Sequence, residues 1–300
     1  MRNSGLYGRK EEPVLNTWPF RPLNPDDMPR LIRCRDMQAH PFTALSPVSL
    51  ISWADTYGFS IAGDDDFFVI HSRYDRGYYA PVGDPEKCAA FMEYAAKREQ
   101  PVRFLYLTEP EAKALAEKGW KVFFRADLSE YILSSARMAL EPNTYSHKSF
   151  RNKCNRFART YGQYQVSPVT EENLDRVREV ADRYLEAQSS LPSDQAVMNA
   201  ELEYFSALCL RGILLTVPDG REAFILGYEN TPGMFTLTMT RHDPTLSEET
   251  TTICVHEFAS VLQRQYPLLN VEEDMGLDGL RRAKTLLSPV DILKVYEVQS

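Results

Sequence analysis

Near its C-terminal end the chain places a run of acids before two cations: Asn270-Val-Glu-Glu-Asp274, then Arg281 and Lys284. The stretch reads as a strand end, an acidic turn containing Gly276, and a helix in which Leu277, Leu280, Ala283 and Leu287 recur at helical spacing. At about 100° per residue, Arg281 and Lys284 fall on the same side as Leu277 and Leu280. A solvated helix would carry those cations opposite its apolar stripe. Inward-facing cations need acidic partners, because burying an unpaired charge is expensive. Glu272, Glu273 and Asp274 are the nearest, and Asp274 is also placed to cap the helix. Such a cluster is either an ion-pair lock fixing helix to sheet or a polar site at a strand-to-helix junction.

A second candidate is the helix expected over 146–161. Phe150, Cys154, Phe157 and Tyr161 form its apolar stripe. Lys148, Asn152, Asn155, Arg156 and Arg159 lie opposite, with Arg151 and Lys153 on the flanks. No Asp or Glu occurs between Glu141 and Glu171. An acid-free basic face in an acidic chain suggests an anionic partner such as RNA, a small anion or an anionic surface. The plainer alternative is a solvated helix face.

The rest of the chain must position these two stretches. Three hundred residues are enough for two domains, and a net charge of −8 argues against indiscriminate coating of nucleic acid. Five scattered cysteines without metal spacing read as reduced thiols in a soluble, cytoplasmic protein. No apolar run approaches a membrane span, and no signal peptide is evident. His256-Glu257 lacks the second histidine of a zinc helix, and no phosphate loop, dinucleotide fingerprint or nucleophile elbow occurs. Metal and redox cofactors are not expected.

Periodicity and turn residues divide the chain into an irregular arm (1–24) and two halves, 25–140 and 141–300, the second including the basic helix. Residues 26–133 read α-α-β-β-β-α-β-α-β, and 163–298 read β-α-α-β-β-β-α-β-α-β. This repeated order resembles the GNAT acyltransferase fold, so the expected architecture is α/β, two tandem GNAT-like domains. Each would be a mixed, mostly antiparallel sheet flanked by helices. GNAT enzymes that use CoA cradle its pyrophosphate on a glycine-rich turn before the main helix. The corresponding turns here, Arg241-His-Asp-Pro-Thr-Leu-Ser247 and Pro81-Val-Gly-Asp-Pro85, lack that pattern and carry Asp beside Pro. Ordinary CoA use is therefore not expected.

Three motifs carry a more specific resemblance. Asn270-x-Glu-Glu-Asp-x-Gly-x-x-Gly-Leu-Arg-x-Ala-Lys284, with Pro289-Val290 and Tyr296, resembles the C-terminal signature of a bacterial family similar to the C-terminal domain of phosphatidylglycerol lysyltransferase. Arg151-Asn152-x-x-Asn155-Arg156-Phe157 and Glu130-Tyr131 resemble two further signatures. Val271 stands where that family usually has Arg. Ser149, Phe150 and Lys153 replace a denser Lys/His run.

The resemblance implies a transferase, with an aminoacyl-tRNA as donor and an amine or hydroxyl as acceptor. It implies that Lys284 or Arg281 stabilises oxyanion charge, that Glu273 or Asp274 takes the acceptor proton or binds a substrate ammonium, and that Asn270 orients the carbonyl. Tyr131, Lys148, Arg151, Asn152, Asn155, Arg156, Glu272, Gly276 and Gly279 would contact substrate. The alternatives are a CoA-dependent N-acyltransferase and a non-catalytic anion-binding module. The C-terminal half is expected to hold the site.

Overall fold

The computed structural model describes residues 18–38, 40–142, 148–188 and 192–300. Of the expected arm, 1–17 lies outside them. The remainder supplies β1 (Arg21–Pro22), which pairs with β2, while the Trp18 ring packs edge-on against Phe67. The first half then runs α1 (Met28–Met37), α2 (Pro47–Ser52), α3 (Ala54–Tyr57), β2 (Phe59–Asp64), β3 (Phe67–Ser72), β4 (Gly77–Tyr79) and β5 (Val82–Gly83). It continues with α4 (Pro85–Arg98), β6 (Arg103–Leu107), α5 (Glu109–Glu117) and β7 (Lys121–Ser134). The second half runs α6 (Ser135–Met138), α7 (Lys148–Tyr161), β8 (Gln165–Pro168), α8 (Leu174–Gln188), α9 (Pro192–Glu203), β9 (Arg211–Thr216), β10 (Glu222–Thr231) and β11 (Met234–His242). Then follow α10 (Thr250–Leu262), β12 (Leu268–Glu273), α11 (Asp278–Leu286) and β13 (Asp291–Gln299).

Local chemistry accounts for most of these boundaries. Asp84 accepts from the Glu86 and Lys87 amides and Pro85 pre-sets the first turn of α4. At α5 the Glu111 carboxylate takes both the backbone N–H and the hydroxyl of Thr108. The helical run that Ser46 caps breaks at Trp53, whose ψ of 1° leaves the helical range. The closing strand of the first half, β7, runs unbroken for 14 residues. Its pairing with β13 jumps between Leu293 and Val295, where Ser129 Oγ accepts from Val295 N and donates to Arg125 O.

The strands form a single mixed, mostly antiparallel sheet flanked by helices, in the order β1-β2-β3-β4-β6-β13-β7-β12-β11-β10-β9-β8, with β5 attached to β3. Each half has the GNAT-like order of three antiparallel strands, a helix, a parallel strand, a helix and a closing strand. The parallel pairs are β4 with β6 and β11 with β12. The closing strands are exchanged. β13 pairs with β6 of the first half, and β7 pairs with β12 of the second. A cut in the sequence at residue 140 is therefore not a cut in the sheet.

Both parallel pairs are short. Beyond Tyr79↔Leu105 and Thr236↔Asn270 no further pairing joins them, so each sheet half splays open there. Tyr106 and Glu272, each just past the last paired residues, both have left-handed backbone (φ 62° and 61°). Such torsions cost side-chain-bearing residues energy and concentrate at functional turns.

Candidate functional site

The acidic run lies at the second splay. Asn270 is fully buried and both ends of its amide are engaged. Its Nδ2 donates to Glu130 Oε2 at 2.6 Å, and its Oδ1 accepts the Glu272 N–H at 2.8 Å. That second bond holds the kink at Glu272. The other Glu130 oxygen accepts the N–H and hydroxyl of Thr43, each at 2.8 Å, tying the first half to this turn. Burial pushes the Glu130 carboxyl up to about 7 despite those donors. An orienting role for Asn270 toward a substrate carbonyl would require one of its bonds to open.

Asp274 does not cap the helix. Met275 and Gly276 (φ 53° and 73°) turn the chain left-handed, so α11 starts only after Leu277, which has no side-chain cap. Asp274 instead accepts from Gly276 N at 2.8 Å, Tyr131 Oη at 2.7 Å and Arg281 Nε at 2.9 Å. Burial alone would raise its carboxyl. The bonds from Arg281, Tyr131 and Gly276 outweigh burial and hold it below its ordinary value. The Arg281 side chain is 46% exposed and Asp274 1%, a half-wet pair with a dry anchor. Tyr131→Phe should cost about 2 kcal/mol by removing a buried bond to a charged acceptor. The difference in thermal melting should fade in strong acid. A group with a depressed folded pKa stabilises above its ordinary value, 3.8 here, and loses that contribution as pH falls through the folded one.

The expected apolar stripe of α11 does not pack on the sheet. Leu277 is 54% and Leu280 39% exposed, and no residue of the helix is buried. The stripe instead roofs two cavities. One, of about 270 Å³, is walled by Trp53, Tyr57, Phe59, Tyr79 and Tyr106 from the first half, and by Glu272, Glu273, Met275, Leu280 and Lys284 from the second. The other, of about 620 Å³, opens at the β11/β12 splay between α7, α10 and α11. It presents Lys153, Arg241, Arg282 and Lys284, with Thr251 and Thr252 from the first turns of α10 and Glu248 and Glu272 as the acidic residues of its wall. Glu272, Leu280 and Lys284 line both cavities.

Lys284 is half-buried, and its ammonium donates to the Glu273 main-chain carbonyl. Burial lowers its pKa, against the pull of Glu272, Glu273 and Asp274. Glu272 and Glu273 are both raised, chiefly by burial, Glu272 also by its neighbour Glu273. One ammonium among these carboxyls supplies both an electrophilic group and proton acceptors at the junction of the two cavities.

The other expected residues spread more widely. Gly279 lines the basic cavity, and Gly276 forms the turn. On α7, Phe150, Cys154 and Phe157 are buried as the stripe requires. Lys148, Arg151, Asn152, Asn155 and Arg156 are exposed on the outer face and line neither cavity. Arg156 pairs with Glu249 at 2.8 Å. Residues 146 and 147 lie outside the described residues. The aromatic wall, Arg241 and Arg282 were not anticipated, since nothing local in the sequence marks these side chains as cavity-facing. Among the described residues, no helix is long and apolar enough to cross a membrane.

Solved structures with similar folds include a conserved protein of unknown function from Bacteroides thetaiotaomicron, 24% identical with a TM-score of 0.78, over 94% of this chain and 99% of that one. The C-terminal domain of a putative lysylphosphatidylglycerol synthetase from Agrobacterium fabrum is 14% identical, TM-score 0.64, over 90% and 91%. L-PGS from Bacillus licheniformis is 15% identical, TM-score 0.62, over 90% of each chain. At these identities the likeness is one of fold. A comparison with curated proteins gives no match. The family model described as phosphatidylglycerol lysyltransferase, C-terminal, matches residues 43–298. With that match spanning both halves and both cavities, the chain belongs to the family of phosphatidylglycerol lysyltransferase C-terminal domains.

Proposed function

We propose that the protein is an acyl or aminoacyl transferase whose donor enters the basic cavity and whose acceptor enters the aromatic one. The observation that carries this reading is the shared wall. Where Glu272, Leu280 and Lys284 serve both cavities, two substrates can meet. An ester carbonyl reaching Lys284 from the basic side would have its developing oxyanion stabilised by the ammonium. A hydroxyl or amine arriving from the aromatic side would lose its proton to Glu272 or Glu273. The new C–N or C–O bond forms as the ester C–O bond breaks, and the proton passes to the leaving oxygen.

The basic cavity suits a phosphate-bearing donor, and the outer cations of α7 extend that surface far enough for a macromolecule. An aminoacyl-tRNA meets both conditions. A CoA thioester would need only the cavity. The test is transfer from labelled aminoacyl-tRNA and from acyl-CoA, with Lys148→Glu and Arg159→Glu on the outer face. For tRNA these reversals should raise the donor KM about tenfold together and lower its salt slope by roughly 0.7–0.9 per lost phosphate contact. Transfer from CoA alone, indifferent to the reversals, would replace the tRNA reading. No transfer from either donor would leave an anion-binding module.

A further inference from the structure

Glu130 sits at the seam of the two halves, in a chain of hydrogen bonds whose two ends are fixed. The first-half segment 41–49 is docked on the second half by Asn230 Nδ2, which donates to Pro41 O at 2.7 Å, and by the Tyr228 hydroxyl, 2.9 Å from Ser46 Oγ. Between those contacts Thr43 gives its N–H and its hydroxyl to Glu130 Oε1. From Oε2 the chain continues through the Asn270 amide to the Glu272 N–H. Thr43 lines the aromatic cavity, and Glu272 lines both. Each end of the chain is a main-chain N–H, a donor that cannot be reversed. Asn270 offers one acceptor, spent on Glu272, and one donor group, turned on Glu130. Residue 130 must therefore accept on both oxygens, and among side chains of this shape only an ionised carboxylate does so. A proton on Oε2 would meet the Asn270 NH2 head-on. A proton on Oε1 could turn the Thr43 hydroxyl round but not the Thr43 N–H. The carboxyl is fully buried, and among the described residues no cation pairs with it, so folding alone gains nothing from a charge there.

We propose that Glu130 is a positioning residue of the transfer site. Through Asn270 it sets the left-handed turn that places the Glu272 carboxyl on the wall shared by both cavities, and through Thr43 it holds the first-half rim of the aromatic cavity against that wall. This rests on the transfer reading for its effect on rate, but not for the turn it sets. The charge also acts at a distance. Burial lowers the Lys284 pKa, and Glu130 opposes that fall together with Glu272, Glu273 and Asp274. Burial and Glu273 raise the Glu272 carboxyl, and Glu130 adds to the rise. An ionised Glu130 thus helps keep the ammonium protonated and its neighbouring carboxyl basic. The other titratable groups that feel it are Glu273 and the phenols of Tyr106 and Tyr228, both of which burial keeps neutral. Because burial puts the Glu130 carboxyl at about 7, these effects are in force above that pH and fade below it.

The test is the exchange rate of the Glu272 amide, read by NMR on the full chain without substrate, at a pH above the Glu130 value of about 7. In Glu130→Gln the new oxygen stays with the two Thr43 donors, so the new NH2 faces that of Asn270. Asn270 must then turn over and release the Glu272 N–H, which should exchange about tenfold faster, the worth of one hydrogen bond. Glu130→Gln combined with Asn270→Asp matches every donor to an acceptor again, with the charge moved by one residue, and should restore protection. In transfer, Glu130→Gln should lower kcat about 10–100-fold through misplacement at the junction, with the donor KM unchanged because the cations of the basic cavity are untouched. Its alkaline limb should move to lower pH, and both effects should reverse in the double variant. Equal protection of Glu272 in all three proteins, or a double variant that leaves it fast or does not fold, would overturn the proposal. Should Glu130→Gln alone not fold, the double variant decides by the same criterion. The expected exchange pattern without transfer from any donor, wild type included, would sink the transfer reading and leave Glu130 its hold on the turn. Transfer indifferent to substitutions that do free the amide would keep the transfer reading and remove the positioning role.

Discussion

Lys284→Met should lower kcat/KM for acyl transfer by about 10²–10³-fold, the loss typical of removing one preorganised oxyanion donor. Methionine keeps most of the lysine stem, so the roof over both cavities stays in place while the ammonium is lost. The fold should survive. Glu272 and Glu273 are already pushed up by burial, and without Lys284 they answer by holding protons more tightly rather than by leaving a bare buried charge. Lys284→Arg should not rescue, because the planar guanidinium cannot occupy the volume of a point-like ammonium at the junction. Burial also lowers the Lys284 pKa, so wild-type activity should fall on the alkaline side at a pH below the ordinary lysine value of 10.5. Single-turnover release of a labelled acyl group, alongside thermal melting, separates chemistry from folding. A folded Met variant that retains activity within a few-fold would remove Lys284 from the mechanism.

The parts of this site written in adjacent residues were legible in the sequence. The cations of α11, the acids before them and the stripe of α7 are all set by spacing within one or two turns, where periodicity is informative, although Arg281 proves half-exposed rather than inward. What escaped was non-local. Exchange of β7 and β13 depends on register between strands that sequence order leaves unconnected. The aromatic wall joins Trp53, at a helix break, to Tyr79 and Tyr106 on the first splay, so half of the site comes from the half expected to be inert. Asp274 was misplaced as a cap because two left-handed residues intervene, and one of them, Met275, carries no glycine signal. The apolar face of α11 was read as core because a helical stripe looks the same whether it covers side chains or empty space.

Glu201→Gln should make the protein more stable at pH 8 and leave it unchanged or slightly weaker near pH 4.5. Glu201, on α9, is 2% exposed. Its Oε1 accepts the Thr238 hydroxyl at 2.7 Å, while Oε2 has no partner among the described residues. Burial pushes its carboxyl up to about 7, against the bond from Thr238 and the charge of Arg241. The sign follows from linkage. Below the ordinary value of 4.5 both states hold the proton and the group costs nothing. Between 4.5 and about 7 the unfolded chain ionises first, and above that range the folded protein carries the full penalty, roughly 3 kcal/mol at most. Glutamine keeps the Thr238 bond and removes the charge, but its amide sits where Oε2 was unpaired, which returns about 1–2 kcal/mol. A net gain of about 1–2 kcal/mol at pH 8 remains, visible as a raised melting temperature that vanishes in acid. A variant less stable than wild type at pH 8 would refute the argument. The native carboxylate is thus a cost to stability, and its neighbours suggest its use. Thr238 and Arg241 line the basic cavity, and the Glu201 charge raises the Glu272 carboxyl at the junction. Neutralising it should therefore let Glu272 ionise at lower pH and move the acid limb of transfer downward. A stabilised variant whose pH profile shifts in that direction ties the buried acid to the chemistry rather than to the fold.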